Sequence, residues 1–219
     1  TIGEITTPAG ASVPSRTITG VKAGESGGTA GDVVLSADAM TFDKTVEGKG
    51  NLTIQQANAA TNLNVGATGT GLTLPANLFG SNKIKDGFKH VYLGREDATG
   101  ATKVGGNLNF VDPTTIRSGA TAGSMTLDGS AKIATNGNDF ALESKDLTTA
   151  AGSEVDTGTG ALTLKTDAMN LNGKMKGKKA LNILPISHDR DLKLGGTVND
   201  PTKLSLLDKY FNGNNRQFW

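Results

Sequence analysis

Residues 158–173 read GTGALTLKTDAMNLNG. The stretch holds two alternating runs, residues 161–164 and 168–171, which are separated by polar residues and closed at both ends by glycine. Because successive side chains of a β-strand point to opposite faces, the apolar residues of both runs can face the same side. Such a unit buries little surface alone, so it needs similar units stacked above and below it.

Similar runs recur from residue 31 to residue 196. Their anchor positions are Leu52, Leu72, Val91, Leu108, Met125, Phe140, Leu162 and Leu181. These anchors recur about every 15 to 22 residues, a spacing typical of solenoid repeats. The sequence therefore predicts an all-β fold, a right-handed parallel β-helix (β-solenoid) of roughly ten coils, in which neighbouring strands lie about 4.8 Å apart.

The pattern divides the chain into three parts. Residues 1–30 are expected to form irregular strands or a capping coil, residues 31–196 the solenoid repeats, and residues 197–219 a C-terminal cap or subunit-contact segment. Residues 204–211 fit a short helix as well as a strand. A β-sandwich or an up-and-down barrel would also show short strands, but hairpins would join longer ones.

Composition and charge exclude several partners. The chain has 30 glycines, no cysteine, 5% aromatic residues and a net charge of +1. This balance gives no broad field for nucleic acid, and no apolar run is long enough for membrane insertion. The lack of cysteine excludes disulfides and thiolate metal sites. We expect no cofactor.

The pattern resembles the repeat region of filamentous-haemagglutinin-type bacterial surface proteins. The units Gly-Asn-Leu-Thr-Ile at 50–54 and Gly-Ala-Leu-Thr-Leu at 160–164 carry the resemblance best, and residues 87–100 and 110–113 are similar to a segment of very large exported repeat proteins. The resemblance implies an extracellular or cell-surface adhesin shaft that self-associates or adjoins neighbouring domains, with host or surface glycans as partners. The family's secretion module carries Asn-Pro motifs, and this sequence has no Asn-Pro pair.

A polysaccharide-acting β-helix enzyme, a lyase or a glycoside hydrolase, is the main alternative function. Such an enzyme needs two carboxyl groups at a defined separation. The candidates are Asp97, Asp112, Asp128, Asp139 and Asp146, with Arg95 or Lys103 nearby. Asp112 and Asp128 adjoin proline and glycine, where aspartate commonly forms turns, and the sequence shows no compact cluster of paired acids with a basic residue. The sequence therefore favours a protein that is not an enzyme.

Other motifs favour turns over chemistry. Ser187, His188 and Asp189 bring together the residue types of a hydrolase triad, but adjacent residues do not converge with the required geometry. Residues 136–139 match half of a calcium-binding repeat that would have to occur in tandem. Four Leu-Asn pairs, at 63–64, 108–109, 171–172 and 181–182, fit either a stacked asparagine ladder or isolated turns.

The C-terminal segment concentrates aromatic residues. Tyr210, Phe211, Phe218 and Trp219 are four of the ten aromatics in the chain. A solenoid end exposes unpaired backbone and apolar core, which proteins cover or pair with another chain. We expect these residues to cap the final coil or to contact a neighbouring subunit, and we favour the cap.

Overall fold

The computed structural model describes residues 5–6, 15–23, 25–26, 29–80, 82–212 and 218. They form a parallel β-solenoid of about seven turns, which confirms the predicted all-β solenoid class. The first strands are β1 (Ile5–Thr6), β2 (Ser15–Ile18), β3 (Val21–Lys22), β4 (Glu25–Ser26), β5 (Thr29–Ala30), β6 (Val33–Ser36), β7 (Ala39–Phe42), β8 (Val46–Glu47), β9 (Asn51–Gln55), β10 (Leu63–Val65), β11 (Leu72–Leu74), β12 (His90–Leu93) and β13 (Thr102–Val104). The remaining strands are β14 (Asn107–Asn109), β15 (Thr114–Arg117), β16 (Ser124–Leu127), β17 (Lys132–Ala134), β18 (Phe140–Glu143), β19 (Asp146–Thr149), β20 (Glu154–Asp156), β21 (Leu162–Lys165), β22 (Ala168–Leu171), β23 (Lys174–Lys176), β24 (Leu181–Leu184), β25 (Leu192–Leu194) and β26 (Leu204–Leu206).

Each regular coil contributes one strand to each of three parallel sheets, which we call the first, second and third faces. The first face has the order β24-β21-β18-β15-β12-β9-β6, the second β11-β10-β13-β16-β19-β22, and the third β14-β17-β20-β23. Strand partners are therefore successive coils and not hairpin neighbours.

The predicted number of coils was too high. Leu72 and Met125 lie on the second face and Leu108 lies on the third, whereas Leu52, Val91, Phe140, Leu162 and Leu181 lie on the first. The sequence spacing had assigned one coil to each anchor. The true coil is longer because it holds three short strands instead of two.

The core consists of columns of inward side chains that run from coil to coil. On the first face, Ile54, Leu93, Ile116, Leu142 and Leu164 occupy equivalent positions, and all are fully buried. Full burial of one such side chain stabilises the fold by about 1.5 to 3 kcal/mol. Phe110 packs between Phe79 and Phe140, with ring centroids 4.9 and 5.7 Å away, so a short aromatic column continues the aliphatic ones.

Buried hydroxyl groups close the corners between faces. At the corner between the first and second faces, Ser118, Ser144 and Thr166 each donate to the carbonyl of the first residue of the next strand, at 3.0, 3.0 and 2.8 Å. At the corner between the third and first faces, Thr135 and Thr157 each donate to the carbonyl three residues ahead. These bonds satisfy carbonyls that leave the sheets and that water does not reach.

One coil is longer than the others and places its strands out of order. Between β9 and β12 the chain forms β10, doubles back to β11 and continues through a 3-10 helix at Ala76–Leu78. β11 pairs in parallel with β10 on the side opposite β13, and it lies beside β7. β11 therefore extends the second face by one strand beyond β10.

The two ends depart from the regular coil. Near the N-terminal end, β1 pairs antiparallel with β2 and β4 with β5, while β2 and β3 pair in parallel with β7 and β8. Residues 204–211 do not form the helix that their sequence also fits, because Leu204–Leu206 is a strand paired with β25 and a 3-10 helix follows at Asp208–Tyr210. No helix in the described ranges is long and apolar enough to cross a bilayer.

Candidate functional site

A polar groove lies on the outer surface of the first face. Its lining includes Tyr92, Glu96, Arg117, Glu143, Lys165 and His188, and its volume is about 480 Å³. Side chains alternate between the two sides of a strand, so the residue after the second inward residue faces outward. Arg117, Glu143 and Lys165 hold this position in β15, β18 and β21 and therefore share this surface. The register aligns Arg117 with Glu143 and Glu143 with Lys165, so charge alternates along the solenoid axis.

Tyr92 is held between two other side chains. The His90 ring stacks on it with centroids 4.3 Å apart, and Arg117 Cζ lies 3.8 Å from the Tyr92 centroid. The guanidinium therefore gains a cation–π contact that helps to hold its orientation, and the tyrosine ring is packed against both side chains.

Arg117 carries hydrogen-bonding capacity that its neighbours leave unused. Its Nη1 donates to Glu96 Oε1 at 2.7 Å, and its Nε lies 3.7 Å from Glu143 Oε2, beyond hydrogen-bonding distance. The Nε is buried and has no hydrogen-bond acceptor in the described part of the chain. The Arg117 side chain is only 14% exposed, whereas that of Glu96 is 79% exposed. The cation is therefore fixed and its main carboxylate partner is not.

His90 is the titratable group behind the groove. Burial and the positive charge of Arg117 lower the pKa of His90, and the carboxylate of Asp139 opposes them. A lowered pKa favours the neutral ring at pH 7. His90 Nε2 lies 2.8 Å from the buried Thr115 hydroxyl, so the imidazole orients the Tyr92 ring without adding charge to the groove.

Arg95 is committed to structure. Its guanidinium donates to both oxygens of Asp97 at 2.8 Å, and its Nη1 donates to the carbonyls of Ala57 and Gln56 at 2.9 and 3.2 Å. The ion pair raises the pKa of Arg95 and lowers that of Asp97. Together these contacts join one coil to the coil before it, which leaves neither group open for chemistry.

The remaining carboxylates considered from sequence do not converge. Asp128 pairs with Lys103 at 3.6 Å on the second face, and Asp139 pairs with Lys179 at 3.0 Å at the corner beyond the third. Asp146 is exposed at the start of β19. None of these groups reaches the groove that holds Glu96 and Glu143, two acids that the sequence analysis did not single out.

Asp112 is a buried carboxyl group beside a second acid. Its Oδ1 accepts the Gly87 amide at 2.9 Å, while its Oδ2 is buried without a hydrogen-bond donor. Burial and the nearby Asp86 carboxylate raise the pKa of Asp112 to about 6, against the lowering effect of hydrogen bonds from the Gly87 and Phe88 amides. A proton on Oδ2, donated towards Asp86, would satisfy both groups.

The Ser187-His188-Asp189 stretch is a turn. Ser187 donates its amide and its hydroxyl to Asp167, and Arg190 Nε donates to the Asp167 carbonyl at 2.9 Å. Asp167 is buried, so this network secures the loop after β24 to the preceding coil. His188 lines the polar groove, and no hydrogen bond within the described residues joins it to Ser187 or Asp189.

Residues 136–139 also form a turn. Asn136 has φ 53° and Gly137 has φ 87°, and the Asn136 amide donates to Asn109 Oδ1 at 2.7 Å. Within the ranges that the structure describes, no group of three or more histidine, cysteine, aspartate or glutamate residues could hold a metal ion.

The C-terminal aromatics occupy different environments. Tyr210 is fully buried, and Phe218 is 9% exposed and forms a parallel bridge with Met175 of the third face. Phe211 is 46% exposed, although its ring lies 5.4 Å from that of Phe218. Trp219 lies outside the described residues.

The architecture defines this chain as a β-solenoid repeat protein, with parallel strands of successive coils in register on three faces. Comparisons of the chain with protein-family profiles, with curated proteins and with solved structures found no match.

Proposed function

We propose that this protein is a structural and adhesive shaft of the filamentous-haemagglutinin type, held at the cell surface or secreted. The observation that supports the proposal best is the unbroken first face, in which seven strands follow one another in parallel register. Each coil contacts mainly its neighbours, so adding coils extends the molecule without enlarging its core. Reach is the property that such a construction provides.

The C-terminal end supports a role in end-to-end assembly. Leu181 and Ile183 continue the core columns of Leu162 and Leu164, but Leu181 is 39% exposed where Leu162 is 4% exposed. Leu192 and Leu194 of β25 are 47% and 73% exposed. β24 ends the first face and pairs only with β21 among the described strands. An open edge with uncovered inward positions can accept another parallel strand.

A second copy of this chain is the occupant that we propose for this end. Residues 174–212 carry eight lysines and arginines against four aspartates, whereas residues 31–50 carry four acids against two lysines. The basic C-terminal end should therefore attract the acidic coil of another copy, in which β6 forms the other end of the first face, more than it attracts itself. Head-to-tail contacts of this kind do not close and give filaments.

Sedimentation velocity and negative-stain microscopy test the shaft and its assembly. We expect elongated particles that lengthen with concentration. Leu194→Glu should abolish lengthening because it places a charge on the apolar end, while the mid-shaft variant Thr126→Glu should assemble normally. Compact particles would contradict the shaft. Elongated monomers at all concentrations would contradict assembly alone. Antibody labelling of intact source cells tests the surface location.

The polysaccharide-acting enzyme remains a second candidate on one observation. Glu96 and Glu143 both approach the guanidinium of Arg117 in the polar groove, at 2.7 and 3.7 Å. Paired carboxyl groups on the two sides of a groove are the minimum that glycoside cleavage requires. Reducing-end release from polygalacturonate that disappears in Glu143→Gln, but persists in Asp146→Asn, would favour this candidate.

A further inference from the structure

We propose that the polar groove binds a carboxylate-bearing polysaccharide, in which Arg117 and Lys165 hold carboxylates of two sugars along one extended chain. The inference rests on the proposed adhesive role and names the class of ligand that the groove would take. It is argued from three features of the groove: a fixed cation, an exposed carboxylate already bound to it, and a second cation at a suitable distance.

Arg117 is organised for a carboxylate before any ligand arrives. Its guanidinium carbon lies 3.8 Å from the centre of the Tyr92 ring, on which the His90 ring also stacks. A planar guanidinium matches a carboxylate in two parallel hydrogen bonds, and fixing it in advance reduces the entropy lost on binding. Its one close carboxylate contact within the described residues is that of Nη1 with Glu96 at 2.7 Å, so the neighbouring side chains do not saturate the group.

Glu96 marks where a ligand carboxylate would sit. Its Oε1 accepts from Arg117 Nη1 at 2.7 Å, yet the Glu96 side chain is 79% exposed. An ion pair with so exposed a partner contributes little to stability. A ligand that brings its own carboxylate can therefore displace Glu96 at little cost.

Lys165 supplies the second cation. It lies two strands from Arg117 on the same outer surface, which corresponds to about 10 Å at the usual strand spacing. It forms no ion pair within the described part of the chain, although it lines the groove. Two cations at this separation suit alternate carboxylates of an extended uronate chain.

The groups between the cations suit sugar hydroxyls. The Tyr92 hydroxyl has no partner within the described residues, and the Glu143 carboxylate makes only its long contact with Arg117. A sugar chain that contacts both Arg117 and Lys165 would lie along the groove, and its long axis would follow the solenoid axis.

Fluorescence anisotropy with labelled oligogalacturonate tests the proposal, and the fully methyl-esterified oligomer is the matched probe without charge. The acid form should bind and the ester should not, and binding should weaken as salt rises. Arg117→Lys and Lys165→Gln should each weaken binding about fivefold or more, because each removes charge-assisted hydrogen bonds. Glu96→Gln should tighten binding, because it removes the competing carboxylate.

Surface variants away from the groove distinguish binding at a specific site from nonspecific attraction between the ligand and the charged surface. Lys178→Gln and Asp43→Asn make the same charge changes and should leave affinity unaltered. Equal binding of the ester, absence of binding, or an equal loss in Lys178→Gln would overturn the proposal. Melting curves and X-ray scattering on the same samples report the fold and the elongated shape. An intact rod that ignores the acid probe refutes the groove alone, while a compact particle refutes the shaft.

Discussion

The hydroxyl of Tyr210 donates to the carbonyl of Met169 at 3.0 Å across 41 residues of chain. Met169 lies on β22, the last strand of the second face, so this bond ties the segment after β26 to the final regular coil. Burial raises the pKa of Tyr210, which keeps the hydroxyl protonated and able to donate. The contact closes one side of the solenoid end while β24 and β25 remain open.

Tyr210→Phe should lower the free energy of unfolding by about 1 kcal/mol, because it removes one buried hydrogen bond and little volume. Tyr210→Ala should cost about 3 to 5 kcal/mol, since it also leaves a cavity. Urea unfolding followed by circular dichroism measures both. Phe211→Ala is the control, because its ring is half-exposed. Similar losses in Tyr210→Ala and Phe211→Ala would show that the buried ring does not anchor this end.

Leu164→Ala should cost about 2 to 5 kcal/mol of unfolding free energy, because Leu164 is fully buried in a column of the first face. Leu184→Ala is the matched control, since Leu184 lies on the next coil and is 48% exposed. Its loss should be under about 1 kcal/mol. Denaturant unfolding of the two variants compares them directly. A larger loss at Leu184 than at Leu164 would contradict the assignment of the first-face column to the core.

Thr157→Val tests the corner hydroxyls. The Thr157 hydroxyl contacts the Gly160 carbonyl at 2.9 Å and the Lys176 carbonyl at 3.2 Å, and valine keeps the shape while removing the donor. We expect a loss of about 1 to 3 kcal/mol, because a buried acceptor is left without a partner. Thr126→Val, at an exposed position of β16, should change stability by less than about 0.5 kcal/mol. Thermal melting reports both changes, and equal values would rule out a role for the hydroxyl.

Asp112→Asn should remove one component of the pH dependence of stability. The pKa of Asp112 is about 6 in the folded protein and near its ordinary 3.8 in the unfolded chain, so the folded state binds the proton more tightly. This contribution is complete below about pH 4 and is lost as the pH rises through 6. Relative to the parent, the asparagine variant should gain about 1 to 3 kcal/mol between pH 4 and pH 7.

Asp139→Asn should change the pH dependence of stability in the opposite direction. Hydrogen bonds from the Ala161 amide and from Lys179 lower the pKa of Asp139. Its stabilisation is present above pH 4 and is lost as the pH falls through the lowered value. Urea unfolding of parent and variants from pH 3 to pH 8 distinguishes the two. A stability difference between Asp112→Asn and the parent that does not change with pH would exclude a proton held at Asp112.

The alternation at 162–171 was sufficient to predict strands and their stacking, because inward leucines with outward polar residues leave few other folds. The alternation could not give the number of coils. Three short strands and three corners can be divided among the same apolar residues in several ways, and the hydroxyl residues that mark two of the corners are common residue types. The four Leu-Asn pairs show the difficulty, since they lie on three faces and do not form a ladder.

The polar groove was missed for a related reason. Arg117, Glu143 and Lys165 are separated by unequal lengths of chain, so no fixed spacing connects them. A signal was present, however. Each residue directly follows the second inward residue of its strand, as in Ile116-Arg117, Leu142-Glu143 and Leu164-Lys165. Aligning the coils on that residue pair would have brought the three charges together.

The reversed order of β10 and β11 has a consequence for how such molecules change over time. The chain between β9 and β12 takes a detour, yet the columns below and above it meet in register. The extra strand is thus accommodated within one coil, and the coils on either side of it keep their register. Insertions and deletions can accumulate in such a coil, so proteins of this architecture can vary in cross-section at one coil while keeping a constant length.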